Sequence, residues 1–145
     1  MRDLRPLSYR VLLLASVAGV AFAGSAVAQT GPGPVKTLGA GQSLSNSSNI
    51  TATSNQAVLV NGAASSIANS GLIQATGANG VGVQVVSGGS VGTVTNSGTI
   101  QTTNGGNAIL VREAIGPLGN VGTLTNTGLI QSTGSFAAVQ INSGG

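Results

Sequence analysis

Lys36, Arg112 and Glu113 are the ionisable side chains that the chain offers beyond residue 28. One acid cannot form the carboxylate pair of glycoside hydrolysis. The 145 residues include no His and no Cys, and the sole Asp is Asp3. A Ser-His-Asp triad therefore lacks two members in the mature chain despite the many serines, and general acid–base chemistry loses its usual carriers. Disulfides, thiolate chemistry and Cys-type zinc sites are excluded by composition. The calcium-binding nonapeptide solenoid needs repeated Asp, which is absent after position 3. Gly80-Val-Gly82 and Gly31-Pro-Gly33 complete neither a phosphate loop nor a dinucleotide fingerprint. Asn46-Ser-Ser48 and Asn49-Ile-Thr51 match the glycosylation triplet, a common chance match in a chain rich in Ser, Thr and Asn. Arg112-Glu113 reads as a solvated pair at a strand end rather than a projecting contact loop, because such a pair contributes roughly a few tenths of a kcal/mol. No catalytic, cofactor-binding or metal-ligating residue is expected, and the chain is not expected to be an enzyme.

The formal charge of +3 suggests a nucleic-acid partner until the charges are located. Arg2, Arg5 and Arg10 crowd the first ten positions, ahead of the apolar run Val11 to Phe22. Ala26-Val27-Ala28 follows, with small residues at the −3 and −1 positions that a signal peptidase accepts. Residues 1–28 are thus expected to be a secretory signal peptide, cut before Gln29, with Ala23 as the alternative cut. A membrane-spanning helix would need about 20 strongly apolar residues, and Ser16, Gly19, Gly24 and Ser25 interrupt this run. Without the signal, Lys36 and Arg112 stand against Glu113. No basic patch remains for phosphate binding, so no nucleic-acid partner and no transmembrane segment of the mature chain are expected. The export machinery is the partner that the signal implies.

Residues 29–36 (QTGPGPVK) read as a Pro/Gly linker. From 37 to 145 the chain repeats itself. Ile67-Ala-Asn-Ser-Gly-Leu-Ile-Gln-Ala-Thr-Gly77, Val94-Thr-Asn-Ser-Gly-Thr-Ile-Gln-Thr-Thr-Asn104 and Leu124-Thr-Asn-Thr-Gly-Leu-Ile-Gln-Ser-Thr-Gly134 align without gaps. A weaker copy begins at Leu44, with Ser48 where the others have Gly. The anchoring residues Asn46, Asn69, Asn96 and Asn126 lie 23, 27 and 30 residues apart. Each copy is followed by a second apolar strip, such as Val81-Gly-Val-Gln-Val85 or Ala108-Ile-Leu-Val111. Val, Ile and Thr alternate with small polar residues, and Gly interrupts every window long enough for a helix. Three short strands and three turns per unit give one coil of a parallel β-helix. The expected fold is all-β: a β-solenoid of about four coils. Stacked amides of the four asparagines can hydrogen-bond along the axis, beside an aliphatic stack of Ile50, Ile73, Ile100 and Ile130. Phased apolar positions argue against a disordered low-complexity segment.

The [LV]-T-N-[ST]-G-x-I-Q-x-T-[GN] units behind a signal peptide resemble the passenger regions of bacterial autotransporters. The resemblance covers about Leu38 to Gly145. It implies a β-helical passenger carried to the cell surface by an outer-membrane β-barrel, with a structural or binding role such as that of an adhesin. Host or cell-surface ligands, or self-association, are the partners implied. The expected location is the cell surface, the outer membrane or the extracellular space, and the periplasm where no translocator acts. A barrel needs many strands of roughly ten alternating residues with aromatic girdles, whereas Phe136 is the one aromatic residue of the mature chain. The options are a truncated product or fragment, or a small solenoid exported by another route. Ile141-Asn-Ser-Gly-Gly145 parallels the strip-to-turn junction Val85-Val-Ser-Gly-Gly89, so the solenoid is expected to break off at a coil boundary. N-terminal sequencing of exported material should begin at Gln29; a mature product that still began at Met1 would overturn the signal assignment.

Overall fold

The computed structural model describes residues 28–112 and 120–142. Residues 1–27, with Ala26 and most of the expected signal segment, and residues 113–119, with the acid Glu113, lie outside the described residues. The chain is a parallel β-solenoid, with no helix among the described residues. Strands follow one another around three faces. The first face stacks β1 (Gln29–Gly31), β4 (Asn49–Ala52), β7 (Leu72–Ala75), β10 (Thr99–Thr102) and β13 (Leu129–Ser132). The second stacks β2 (Lys36–Leu38), β5 (Gln56–Val60), β8 (Val81–Val85), β11 (Ile109–Val111) and β14 (Val139–Ile141). The third stacks β3 (Ser43–Asn46), β6 (Ala63–Asn69), β9 (Ser90–Asn96) and β12 (Asn120–Asn126). Every strand pairs parallel with the equivalent strand one coil away. Parallel pairing normally requires a long crossover. Here the rest of the coil is the crossover, so short turns suffice.

The stacking places like on like. Ile50, Ile73, Ile100 and Ile130 are direct partners along the first face. Leu44, Ile67, Val94 and Leu124 are partners along the third, and Val58, Val83, Ile109 and Val139 along the second. Period-two alternation turns these positions inward, and Ile73 and Ile100 are fully buried. Ile130 is partly buried against the same core. The core is therefore a column of aliphatic side chains along the solenoid axis. Phe136, the one aromatic among the described residues, is exposed and has no part in it.

The Pro/Gly segment departs from its expected role as a linker. Gln29 to Gly31 pairs with Ile50 to Ala52, and Lys36 to Leu38 pairs with Val58 to Val60. Backbone pairing is indifferent to the lack of apolar periodicity in an edge strand. Pro32 and Pro34 fall in the corner between β1 and β2, where a missing N–H disturbs no ladder. The corner carbonyls are themselves used, by Thr53 N on Gly31 O (2.8 Å) and Asn55 N on Pro32 O (3.0 Å). Gln29 thus lies at the foot of the isoleucine column, with Ala28 exposed just before it.

Replacing Ile100 by Asp buries a carboxylate in the aliphatic column with no cation beside it. Such a change costs several kcal/mol, of order 3–5. Thermal unfolding followed by circular dichroism should show a large loss of stability or no folded state at all. An unchanged melting profile would place Ile100 outside the core.

Candidate functional site

The corner between the third and first faces carries a continuous row of side-chain amides. Asn46, Asn69 and Asn96 are buried there, and Asn126 is exposed. Asn46 Nδ2 donates to Asn69 Oδ1, Asn69 Nδ2 to Asn96 Oδ1, and Asn96 Nδ2 to Asn126 Oδ1, each at 2.7 Å. Each Nδ2 also donates to a carbonyl of its own turn: Ser48 O (3.0 Å), Gly71 O (3.2 Å), Gly98 O (3.2 Å) and Gly128 O (3.0 Å) in order. The first three reach a carbonyl of the next coil as well, at Leu72, Thr99 and Leu129. Two N–H groups thus share three acceptors. The amide-to-amide bonds run in one direction, each Nδ2 donating to the Oδ1 of the later coil.

The remaining residues of the N-[ST]-G turn have roles of their own. Ser70 Oγ donates to Asn46 O (3.2 Å), Ser97 Oγ to Asn69 O (3.4 Å) and Thr127 Oγ1 to Asn96 O (3.5 Å), which accounts for the hydroxyl residue after Asn69, Asn96 and Asn126. A Cβ at Gly71, Gly98 or Gly128 would overlap the carbonyl oxygen of Ser48, Gly71 or Gly98 respectively. Glycine is required because the coils approach backbone to backbone at this point. Ser48 departs from the pattern in the first copy, where β3 is the first strand of its face among the described residues. Among the described residues no earlier carbonyl lies beneath it there.

Sequence reasoning missed two buried amides. Asn107 Nδ2 donates to Ala137 O (2.7 Å) and Gln140 Oε1 (3.0 Å), tying the turn before β11 to the following coil. Its signal was the preceding Gly105-Gly106 pair, both residues with positive φ. Gln84 in β8 is buried, and its Oε1 is the buried side-chain acceptor without a hydrogen-bond partner among the described residues. Alternation predicts that position to face solvent, so nothing in the sequence marked it.

Of the charged groups, Lys36 is half-buried in β2 and Arg112 is exposed just after β11. Among the described residues no three His, Cys, Asp or Glu side chains gather as a metal site would require. The asparagine row is neutral and closed on itself, so its chemistry is adhesion between coils. Comparison with protein-family models, with curated proteins and with solved structures returns no match.

Removing an interior amide leaves its buried neighbours short of partners, at about 1–3 kcal/mol per orphaned group. Asn96→Ala should therefore cost about 2–3 kcal/mol, and Asn126→Ala, at the exposed end, less than about 1 kcal/mol. Denaturant unfolding of both variants checks the order. Equal losses would mean that burial does not govern the row.

Proposed function

We propose that the chain is an exported, surface-displayed structural or binding passenger of an autotransporter-like protein, serving as a stalk or as an adhesive surface. The observation that carries this reading is the repetitive, in-register solenoid itself. Its coils are held by neutral amides and aliphatic side chains, and its outward positions are largely Ser, Thr and Asn. A rod of this kind offers extended faces for contact and few groups for bond-making chemistry. The signal-like N-terminus supports export, and the N-[ST]-G-x-I-Q units support the passenger resemblance. Partners then are the export machinery and a host or cell-surface ligand, with the cell surface, outer membrane or medium as destination.

A second reading is a self-assembling extracellular matrix or fibre protein. The exposed apolar side chains Leu124, Leu129, Val139 and Ile141 of the last described coil favour it, as edges with few charges associate readily. A polysaccharide-acting enzyme of the β-helix type has less support, since the mature chain carries Glu113 as its one acid.

Protease shaving of intact cells that express the full reading frame tests the leading reading. Solenoid peptides should be released from whole cells; recovery of the chain only from the cytosol would overturn export and display together. Sedimentation of the mature chain over a concentration range separates the passenger from the fibre, because a fibre grows with concentration.

A further inference from the structure

We propose that Asn104 is a spontaneous modification site, converted by water to aspartate and isoaspartate while the solenoid stays folded. The chain contains three Asn-Gly dipeptides, at 61–62, 79–80 and 104–105. Everywhere else Asn precedes a residue with a side chain. Before Gly the following backbone nitrogen reaches the side-chain carbonyl carbon most easily, since no Cβ obstructs the approach. The Gly nitrogen gives up its proton and bonds to Asn Cγ, and the side-chain NH2 leaves with a proton as ammonia. Water then opens the resulting succinimide at one carbonyl or the other, giving aspartate or isoaspartate. Water is the one co-reactant.

The structure separates the three sites, although all three asparagines are exposed. Gly80 is buried and its N–H donates to Gly77 O at 3.0 Å, so the nucleophile beside Asn79 is engaged. At 61–62 the peptide groups are held on both sides of the bond that must turn. Asn61 N donates to Leu38 O (3.1 Å), and Gly62 O accepts from Ala64 N (2.9 Å) and Ser90 N (3.0 Å). Gly62 also packs on the coil below, where a Cβ would come within 2.7 Å of Ala40 N. Neither Asn104 nor Gly105 has a backbone hydrogen bond, donated or accepted, among the described residues. A segment held by few hydrogen bonds rearranges at low cost. Of the three sites, Asn104 therefore combines an unengaged nucleophile with a backbone able to bring it round.

The surroundings also accommodate the product. The described residues include no Asp or Glu, so the reaction adds the first carboxylate side chain to them. Isoaspartate lengthens the backbone by one methylene, and the turn at 103–108 already exceeds its counterpart at 53–55. The extra atom thus enters a corner that takes insertions while β10 and β11 stay paired with their neighbours. The inference concerns this turn alone and stands apart from export and display.

The test incubates the purified full-length chain in mildly basic buffer, with and without denaturing urea, and follows each asparagine by peptide mass mapping. In the folded chain, deamidation at Asn104 should outpace that at Asn61 and at Asn79 by at least about fivefold, the net worth of one backbone hydrogen bond. In urea the three rates should converge, because the dipeptide is the same at each site. Asn104→Gln should abolish the fast phase, and Asn104→Asp should melt with the parent chain. Equal rates in the folded chain, a faster reaction at Asn61 or Asn79, or an order that persists unchanged in urea would each overturn the proposal. Loss of the β-type circular dichroism in the deamidated fraction, or failure of Asn104→Asp to fold, would overturn it as well.

Discussion

At the corner between the third and first faces, one carbonyl gathers the start of the next coil. Asn46 O accepts from Ser70 N (2.8 Å) and Gly71 N (3.2 Å), and the Ser70 hydroxyl reaches it too. The same set recurs on Asn69 O from Ser97 and Gly98, and on Asn96 O from Thr127 and Gly128. Hydrogen bonding therefore runs through the bend without a break, and the buried amides satisfy what the strands leave over. A shift of one residue here would send the isoleucines outward and the polar residues inward. The register of the aliphatic column depends on this corner.

The uneven repeat length follows from that dependence. Asn-to-Asn spacing grows from 23 to 27 to 30 residues. The pinned corner stays at two residues throughout, at 47–48, 70–71, 97–98 and 127–128. Added residues enter at the other two corners, as in 76–80 and 103–108 against 53–55 on one, and 86–89 against 61–62 on the other. Those turns have no stacked amide row to keep in line, so insertions there leave the strands paired. Gly106, with φ of +89, shows how closely a lengthened turn still packs, since a Cβ there would overlap Gly80 O.

Where side chains repeat at matched positions, the fold was legible in the sequence. Asn46 to Asn126 and Ile50 to Ile130 recur at matched places in the repeat and are strand partners in the structure. Where pairing depends on backbone alone, it was not legible. Gln29–Gly31 carries no apolar rhythm yet forms a strand, because an edge asks only for extended backbone. Gln84 and Leu110, outward by alternation and buried in fact, are register partners on the second face that the local pattern did not mark as interior. Ser48 looked like a decayed copy of the glycine. Its meaning is positional, since only later coils have a carbonyl of that face beneath them among the described residues.

The groups that bind coil to coil are amides, hydroxyls and backbone, none of which gains or loses a proton in ordinary aqueous conditions. Lys36 and Arg112 are the ionisable side chains among the described residues, and neither belongs to the asparagine row. Proton linkage needs groups that titrate differently in the folded and unfolded chains, and ionic screening needs charges to screen. Adhesion along this axis offers neither. Acidification, brine and dilution with pure water all leave the row with the same partners, so its hold does not register the ionic character of the surroundings.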